Sequence, residues 1–315
     1  MRIGIDFDKT TTTLGLFNPS MTPIDHIRVR IPADSDPASC IQQLGLAVEK
    51  LLTRNKLDSQ TLRGVGISFP GQIALREGTV LHSDSFPALQ GCAPAMLLQQ
   101  LLHVPTMIDS QIHCTALAEH CYGAGRGLTH SVYLSVDNTI DCGIVLGDKL
   151  YHGVHGAACM VGNFFLSDTY GYTDPREKAG TLQSIVTPIK LSRLARESIQ
   201  MGSSSSILTH AGSLHAIDCE HIGMALEDKD ALAIQIINYA ATYLARMLAN
   251  LYELLDIPTV ICGGTVMKFG ATLFNGIMQE FLSASQSAYK DKFELKKPLL
   301  QDHSALLGAG LIVTQ

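Results

Sequence analysis

The residues of this 315-residue chain best able to do chemistry are carboxylates and imidazoles set at strand ends and turns. The opening run MRIGIDFDKTTTTLGLF reads as a hairpin, and its turn, Asp6-Phe7-Asp8-Lys9-Thr10, carries two acids, a lysine and a hydroxyl. A second hairpin turn, Asp137-Asn138-Thr139-Ile140-Asp141-Cys142, adds two more acids. Taken singly, each turn acid reads as a solvated turn residue, for which Asp and Asn are common choices. His152-x-x-His155 has a spacing that could hold a metal on a helix. The eight cysteines are spread singly, with no C-x-x-C or C-x-C pair to close a zinc or redox site, and read as reduced, mostly buried thiols.

Such residues act only if regular elements position them. Arg2 to Phe17 reads as a hairpin, Ile24 to Ile31 as a third strand, and Ala38 to Arg54 as a helix with apolar residues at helical spacing. The spacing further predicts strands at Gly64 to Ser68 and Val104 to Ile108 and a helix from about Ile112 to Cys121. A second hairpin, Ser131 to Val136 and Gly143 to Leu146, echoes the first. Asp230 to Leu255 reads as a long helix leading into the strand Thr259 to Cys262. The GSSSS stretch from Gly202 reads as a flexible loop. A chain that is 46% hydrophobic and 17% charged can bury a large core and predicts two domains. No apolar run approaches the length of a membrane span and no signal peptide is evident, so the expected compartment is the cytoplasm. A net charge of −6 argues against a nucleic-acid surface, and Lys290, Lys292, Lys296 and Lys297 read as a solvated face.

Several stretches together resemble the ROK family (repressor, open reading frame, kinase) of the actin-like ATPase superfamily. VPTMIDSQIHCTALAEHCYGAGRG is similar to its P-V-x-V-E-N-D-A-N-A-A-A-L-A-E and G-A-G-R-G. VYLSVDNTIDCGIVLGDKLYHGVHGAACMVGNF is similar to its G-T-G-I-G-G-G-I and G-x-x-G-x-A-G-E-I-G-H. IPTVICGGTV resembles its adenosine-side I-x-G-G-G, and ALLGAGLIV its last helix. The resemblance implies an α/β, two-domain actin-like (ribonuclease H-like) fold with a cleft between the domains. It implies a first domain of 1–115 plus 300–315 and a second of 116–299.

The same resemblance assigns the positions of a sugar kinase, and many are changed here. The general base is an Asp in the family, and its position is Gln111, whose amide cannot take a proton. The neighbouring Asn is Ser110 and the second Asn is His113. Asp109, two residues early, is the alternative base, which would serve only if the helix start were shifted. The sugar-side Glu and His are Met160 and Asn163. Pro70 and Gly71 survive in the sugar-side loop, whose usual P-N is Asp84-Ser85. The phosphate turns are Gly-rich in the family so that backbone N–H groups can approach the phosphates. Here they hold Asp6, Asp8, Lys9 and Thr10, and Asp137, Asn138, Thr139 and Asp141. At ~5 Å and an effective dielectric of ~20, each of Asp8, Asp137 and Asp141 would oppose a phosphate charge by ~3 kcal/mol. Gly263 and Gly264 are the adenosine-side pair. LSDTYGYTDPREKAGTLQ replaces the family's zinc-binding cysteines, so no zinc and no other metal is expected, and His152 and His155 read as surface or hydrogen-bonded residues.

The expected function is that of a kinase-inactive ROK protein acting by binding a sugar, a sugar derivative or a protein. The alternative is a divergent ATP- and Mg-dependent sugar kinase acting on hexoses, N-acetylhexosamines or β-glucosides. Direct DNA binding is not expected, because no helix-turn-helix precedes the first strand. A homodimer through the second domain is implied by the resemblance.

Overall fold

The computed structural model describes residues 1–8, 11–167, 171–172 and 178–313. The chain divides into two compact units, one of Met1–His130, Gly143–Cys159 and Leu299–Gln315, the other of Ser131–Cys142 and Met160–Pro298. The first unit holds strands β1 (Arg2–Asp6), β2 (Thr12–Phe17), β3 (Pro23–Val29), β4 (Gly64–Phe69), β5 (Gln72–Ala74), β6 (Thr79–His82) and β7 (Thr106–Ser110). Its helices are α1 (Pro37–Arg54), α2 (Pro94–Leu102), α3 (Gln111–Tyr122) and, at the far end of the chain, α10 (Ser304–Ile312).

The main sheet of this unit runs β3-β2-β1-β4-β7, with β1, β2 and β3 antiparallel and β4 and β7 parallel. Central strands must be apolar on both faces. β4 (GVGISF) is accordingly buried throughout, whereas the edge strand β3 is mostly exposed. Helix α1 starts where Asp36 caps it, accepting from Ser39 N–H at 3.0 Å, with Pro37 in the first turn. It turns Cys40, Ile41, Leu44, Val48, Leu51 and Leu52 into the core.

Helix α10 is buried along its whole length, and glycines make its close approach possible. A Cβ built on Gly66 of β4 would lie 1.7 Å from the carbonyl oxygen of Ala309, and one on Gly4 of β1 would lie 2.2 Å from that of Leu306. On the other side, a Cβ on Gly308 would meet the Cys114 carbonyl oxygen of α3 at 1.9 Å. The buried Glu119 of α3 ties the same elements together: it accepts from the N–H groups of Ala124 (2.9 Å), Leu299 (3.1 Å) and Leu300 (2.7 Å) and from the hydroxyl of Ser304 (3.3 Å).

The remaining strands are β8 (His130–Val136), β9 (Ile140–Leu146), β10 (Lys149–Leu150), β11 (Thr259–Gly263) and β12 (Glu294–Lys296). They order as β10-β9-β8-β11-β12, with β11 parallel to both β8 and β12. The division of the chain falls inside β9, between Cys142 and Gly143. A hairpin, a third antiparallel strand and two parallel strands thus occur twice, as the paired hairpins of the sequence predicted. The helices of the second unit are α4 (Leu182–Val186), α5 (Pro188–Gln200), α6 (Ser206–Ala211), α7 (Cys219–Glu227), α8 (Ala231–Leu255) and α9 (Gly270–Ala284). The apolar residues of α8, among them Ile236, Leu244, Leu248 and Tyr252, are buried within this unit. Tyr252 packs edge-on against Phe281 of α9 and against Phe293, whose rings stack at 3.7 Å. Among the described residues, no helix is long and apolar enough to cross a membrane.

Two local expectations shift. The third parallel strand begins at Thr106, not Val104, and runs on to Ser110, because its ladder with β4 continues through Ser68↔Asp109 and Phe69↔Ser110. Asp109 is therefore a strand residue. The serine-rich stretch is tied down at its end: Ser205 caps α6, and the Asp230 carboxylate accepts from the Ser205 hydroxyl at 2.9 Å and from Ser206 N–H at 2.8 Å.

The glycine contacts predict that Gly66→Ala lowers stability by about 3 kcal/mol or more, since a rigid carbonyl cannot move aside as a side chain could. Gly223→Ala, where the new methyl would meet only Phe269 at 3.8 Å, should raise stability by up to about 1 kcal/mol through helix propensity. Urea unfolding midpoints of the two variants check the contrast.

Candidate functional site

In the first unit, the end of β1 is held by an aromatic cluster. Phe7 meets Phe69 and Phe86 edge-on, each with ring centroids 5.3 Å apart, and its N–H donates to the Ser68 carbonyl at 3.0 Å. That anchors Asp6, whose Oδ1 accepts from the Ser68 hydroxyl at 2.9 Å and from the Gln111 amide at 3.1 Å. Burial pushes the Asp6 carboxyl above its ordinary value, and these two donors partly offset the shift. Asp8 is exposed, and Lys9 and Thr10 lie outside the described residues. The Phe86 side of the cluster also braces the loop that carries Pro70 and Gly71. Ser83 donates to the Pro70 carbonyl at 2.6 Å and accepts from Phe86 N–H at 3.1 Å, so Pro70, Gly71 and the half-buried Ser85 sit on one braced surface.

Helix α3 starts at Gln111 with Ser110 as its N-cap, the Ser110 hydroxyl accepting from His113 N–H at 3.4 Å. Gln111 is thus the first helical residue, and its amide is spent on Asp6. Asp109, nearly inaccessible on β7, has both carboxylate oxygens engaged. Oδ1 accepts from Ser110 N–H at 2.7 Å and from His113 Nδ1 at 2.7 Å; Oδ2 accepts from His152 Nε2 at 2.7 Å. Burial alone would raise this carboxyl, but the hydrogen bonds and charge of the two imidazoles outweigh it and hold the group down at about 2. His155 is exposed and His152 is not paired with it; His152 instead packs edge-on against His113, with ring centroids 4.7 Å apart. Cys159, in the same segment, sits in the left-handed region at φ +70°, a conformation that favours the glycine the family pattern has there.

In the second unit, the β8–β9 turn is held from within. The Asp137 carboxylate accepts from the Thr265 N–H at 2.8 Å, from the Thr265 hydroxyl and from the Ser135 hydroxyl at 3.2 Å. Gln183 of α4 bridges the turn, accepting from Ile140 N–H at 2.7 Å and donating to the Asn138 carbonyl at 2.6 Å. Asp137 N–H donates to the Thr139 carbonyl at 3.0 Å. Asn138 and Thr139 are exposed at the tip and Asp141 is half-buried. Gly264 has φ +99°, and a Cβ there would lie 2.6 Å from backbone atoms of Val136, so the Gly263-Gly264 pair lets β11 close against β8 and presents Thr265 to Asp137. Met160 precedes a short 3₁₀ turn, Val161–Asn163, whose last residue, Asn163, is exposed. Of the stretch that replaces the family's cysteines, residues 168–170 and 173–177 lie outside the described residues.

The structure therefore brings together Asp6 with Gln111, Asp109 with Ser110, and Asp137 with the residue that follows Gly264. The contributions of Thr265, Gln183, His113 and His152 were not read from sequence. Each partner lies on another element, Gln183 43 residues from Ile140 and Thr265 128 residues from Asp137. One signal was available for the histidine cluster: Asp109 and His113 both depart from the family's Glu and Asn, four residues apart in sequence.

The twice-repeated strand order and these motif positions are those expected of the ROK family. The ROK family model matches residues 2–315, and the chain belongs to that family. It is 23% identical over 318 residues to a glucokinase of Halalkalibacterium halodurans, covering 99% of this chain and 94% of that one. It is 22% identical over 265 residues to the DNA-binding transcriptional repressor Mlc of Escherichia coli, covering 84% of this chain and 64% of the repressor. Among solved structures, it superposes on a ROK family glucokinase of Streptomyces griseus, in complex with glucose and AMPPNP, with a TM-score of 0.77 at 21% identity, covering 99% of this chain and 98% of that one.

The bridged turn yields a prediction. Gln183→Ala leaves the Ile140 N–H and the Asn138 carbonyl without their partner and should lower stability by about 1–3 kcal/mol. Gln183→Glu, which keeps the acceptor and loses the donor, should fall between that variant and the parent in thermal unfolding.

Proposed function

We propose that this ROK protein acts by binding a sugar or sugar derivative, without transferring phosphate to it, and that it serves a regulatory role, with another protein as a candidate partner. The observation that carries the reading is the Gln111–Asp6 hydrogen bond. At the position where the family's kinases have their general base, the side chain is an amide, and it donates a proton instead of accepting one. A general base also works best with a pKa near the operating pH. The alternative carboxylate, Asp109, has both oxygens occupied by imidazoles and a backbone N–H, and its proton affinity is held far below neutrality.

Phosphate binding is disfavoured on separate grounds. The Ile140 N–H of the second turn is directed at Gln183, and Asp137 N–H at the Thr139 carbonyl, so two backbone donors of that turn are committed inside the protein. The ligand surface, by contrast, keeps its bracing: Pro70, Gly71 and Ser85 stand on the Phe7, Phe69 and Phe86 cluster. No zinc is proposed at the family's cysteine positions, since the sequence from Leu166 to Gln183 contains no cysteine. A homodimer stays part of the proposal on family grounds alone, because the apolar length of α8 is used inside its own unit.

The second reading, a divergent sugar kinase, is favoured by the end-to-end match to glucokinase and by Asp109 standing beside the start of α3. It requires Asp109 to leave its histidines. With ATP, Mg²⁺ and glucose, N-acetylglucosamine, N-acetylmannosamine or a β-glucoside, the purified protein should turn over less than about once per hour, against ~1–100 per second for ordinary kinases. Gln111→Asp alone should not revive it. A thermal-shift screen of the same sugars should give at least one concentration-dependent rise in melting temperature. A burst of sugar phosphate that disappears in Asp109→Asn would establish the kinase reading instead.

A further inference from the structure

We propose that Asp109, His113 and His152 form a binding site for one divalent transition-metal ion. The three side chains are on the strand β7, the first turn of α3 and the segment after β10, all in the first unit. One candidate ligand atom from each lies within 4.8 Å of the others. Two imidazole nitrogens and one carboxylate are one of the donor sets of three-ligand zinc sites, and they suit first-row divalent ions in general.

The geometry needs little adjustment. Zinc sits ~2.0–2.2 Å from N and O donors, so two donors bound to one ion stand ~3.3 Å apart in a tetrahedral site. Here the two histidine nitrogens are each 2.7 Å from a different oxygen of the Asp109 carboxylate. Separating each pair by about half an ångström is within the range of small χ rotations. The imidazole rings are perpendicular, which aims their nitrogens at the carboxylate from different directions. On binding, each neutral ring carries its proton on the nitrogen facing away from the ion, so the metal replaces the two N–H···O bonds with no other co-reactant.

Burial favours the same conclusion. The side chains of Asp109 and His113 are 6% and 4% exposed, whereas that of His152 is 27% exposed. The ion would be held from below by two buried ligands and would keep an open coordination position on the His152 side, where water or an oxygen of a small ligand can bind. The site uses none of the family's cysteine positions and runs against the sequence expectation of no metal. It also stands or falls apart from the reading of Gln111, because it concerns Asp109 as a ligand whether or not the protein transfers phosphate.

The test is Zn²⁺ titration of the full-length protein after chelator treatment, by calorimetry, with Co²⁺ as a spectroscopic substitute. The expected result is one equivalent of Zn²⁺ bound with a Kd at or below about 1 µM. Zinc should raise the melting temperature, and Co²⁺ should give visible absorption bands of a low-symmetry site. His152→Ala removes a partly exposed ring, so the variant should fold like the parent while losing at least ~100-fold in affinity, about one ligand's share of a zinc site. Asp109→Asn should lose at least as much. His155→Ala, which alters the exposed neighbour, should bind as the parent does. Binding weaker than about 100 µM, or an affinity unchanged in His152→Ala, overturns the proposal and leaves a hydrogen-bonded His–Asp–His triad only.

Discussion

Three glycines let the last helix lie directly on backbone, and the placement of α3, with Gln111 and His113 at its start, follows from that contact. Gly4 and Gly66 allow the carbonyls of Leu306 and Ala309 to enter the sheet surface, and Gly308 allows the same helix to touch the Cys114 carbonyl of α3. With Glu119 fastening Ala124, Leu299, Leu300 and Ser304, α3 is held to the last helix and, through it, against β1 and β4. Its first residue must then face Asp6, and its third must face Asp109. Dense interiors transmit such constraints because few voids are available to absorb a shift.

Within that frame, the polar residues satisfy one another. Asp6 receives Ser68 and Gln111; Asp109 receives Ser110, His113 and His152; Asp137 receives Thr265 and Ser135. A kinase site needs the opposite condition, with donors and acceptors held in place but left for the substrate and the nucleotide. Of Asp8, Asp137 and Asp141, the acids that charge alone would set against a phosphate, Asp137 is turned into the protein as a hydrogen-bond acceptor. Charge repulsion is therefore not what distinguishes Asp137. Its carboxylate joins the β8–β9 turn to the end of β11, a contact that Gly264 makes possible by its positive φ.

Much of the fold was legible because its signals are local. Apolar spacing marked α1 and α8, alternating strand and turn residues marked both hairpins, and the motif order implied a duplicated actin-like body. The boundary of β7 was misread because Val104-Pro105 resembles a strand start, while the ladder that extends it to Asp109 and Ser110 depends on its partner β4. The helices α4 to α7 were not anticipated; α4, α6 and α7 are only 5, 6 and 9 residues long, whereas the 13 residues of α5 carry an amphipathic spacing that was overlooked. The site was legible as a set of positions and illegible as a set of contacts. Gln111 could be named from its place before Ala116-Leu117-Ala118-Glu119, yet nothing local says that its amide reaches Asp6, 105 residues away in sequence. The same holds for His152, read as a surface or hydrogen-bonded histidine until β7 and the loop after β10 place it on Asp109.

The account rests on the claim that this chain keeps the ROK framework while two backbone donors of its β8–β9 turn, the N–H groups of Asp137 and Ile140, are committed inside the protein. The most direct measurement is calorimetric titration of the purified protein with ATP in Mg²⁺. The account predicts no saturable binding tighter than about 1 mM. A Kd in the micromolar range would contradict it, because a nucleotide held that tightly requires backbone donors that the structure assigns to Gln183 and Thr139.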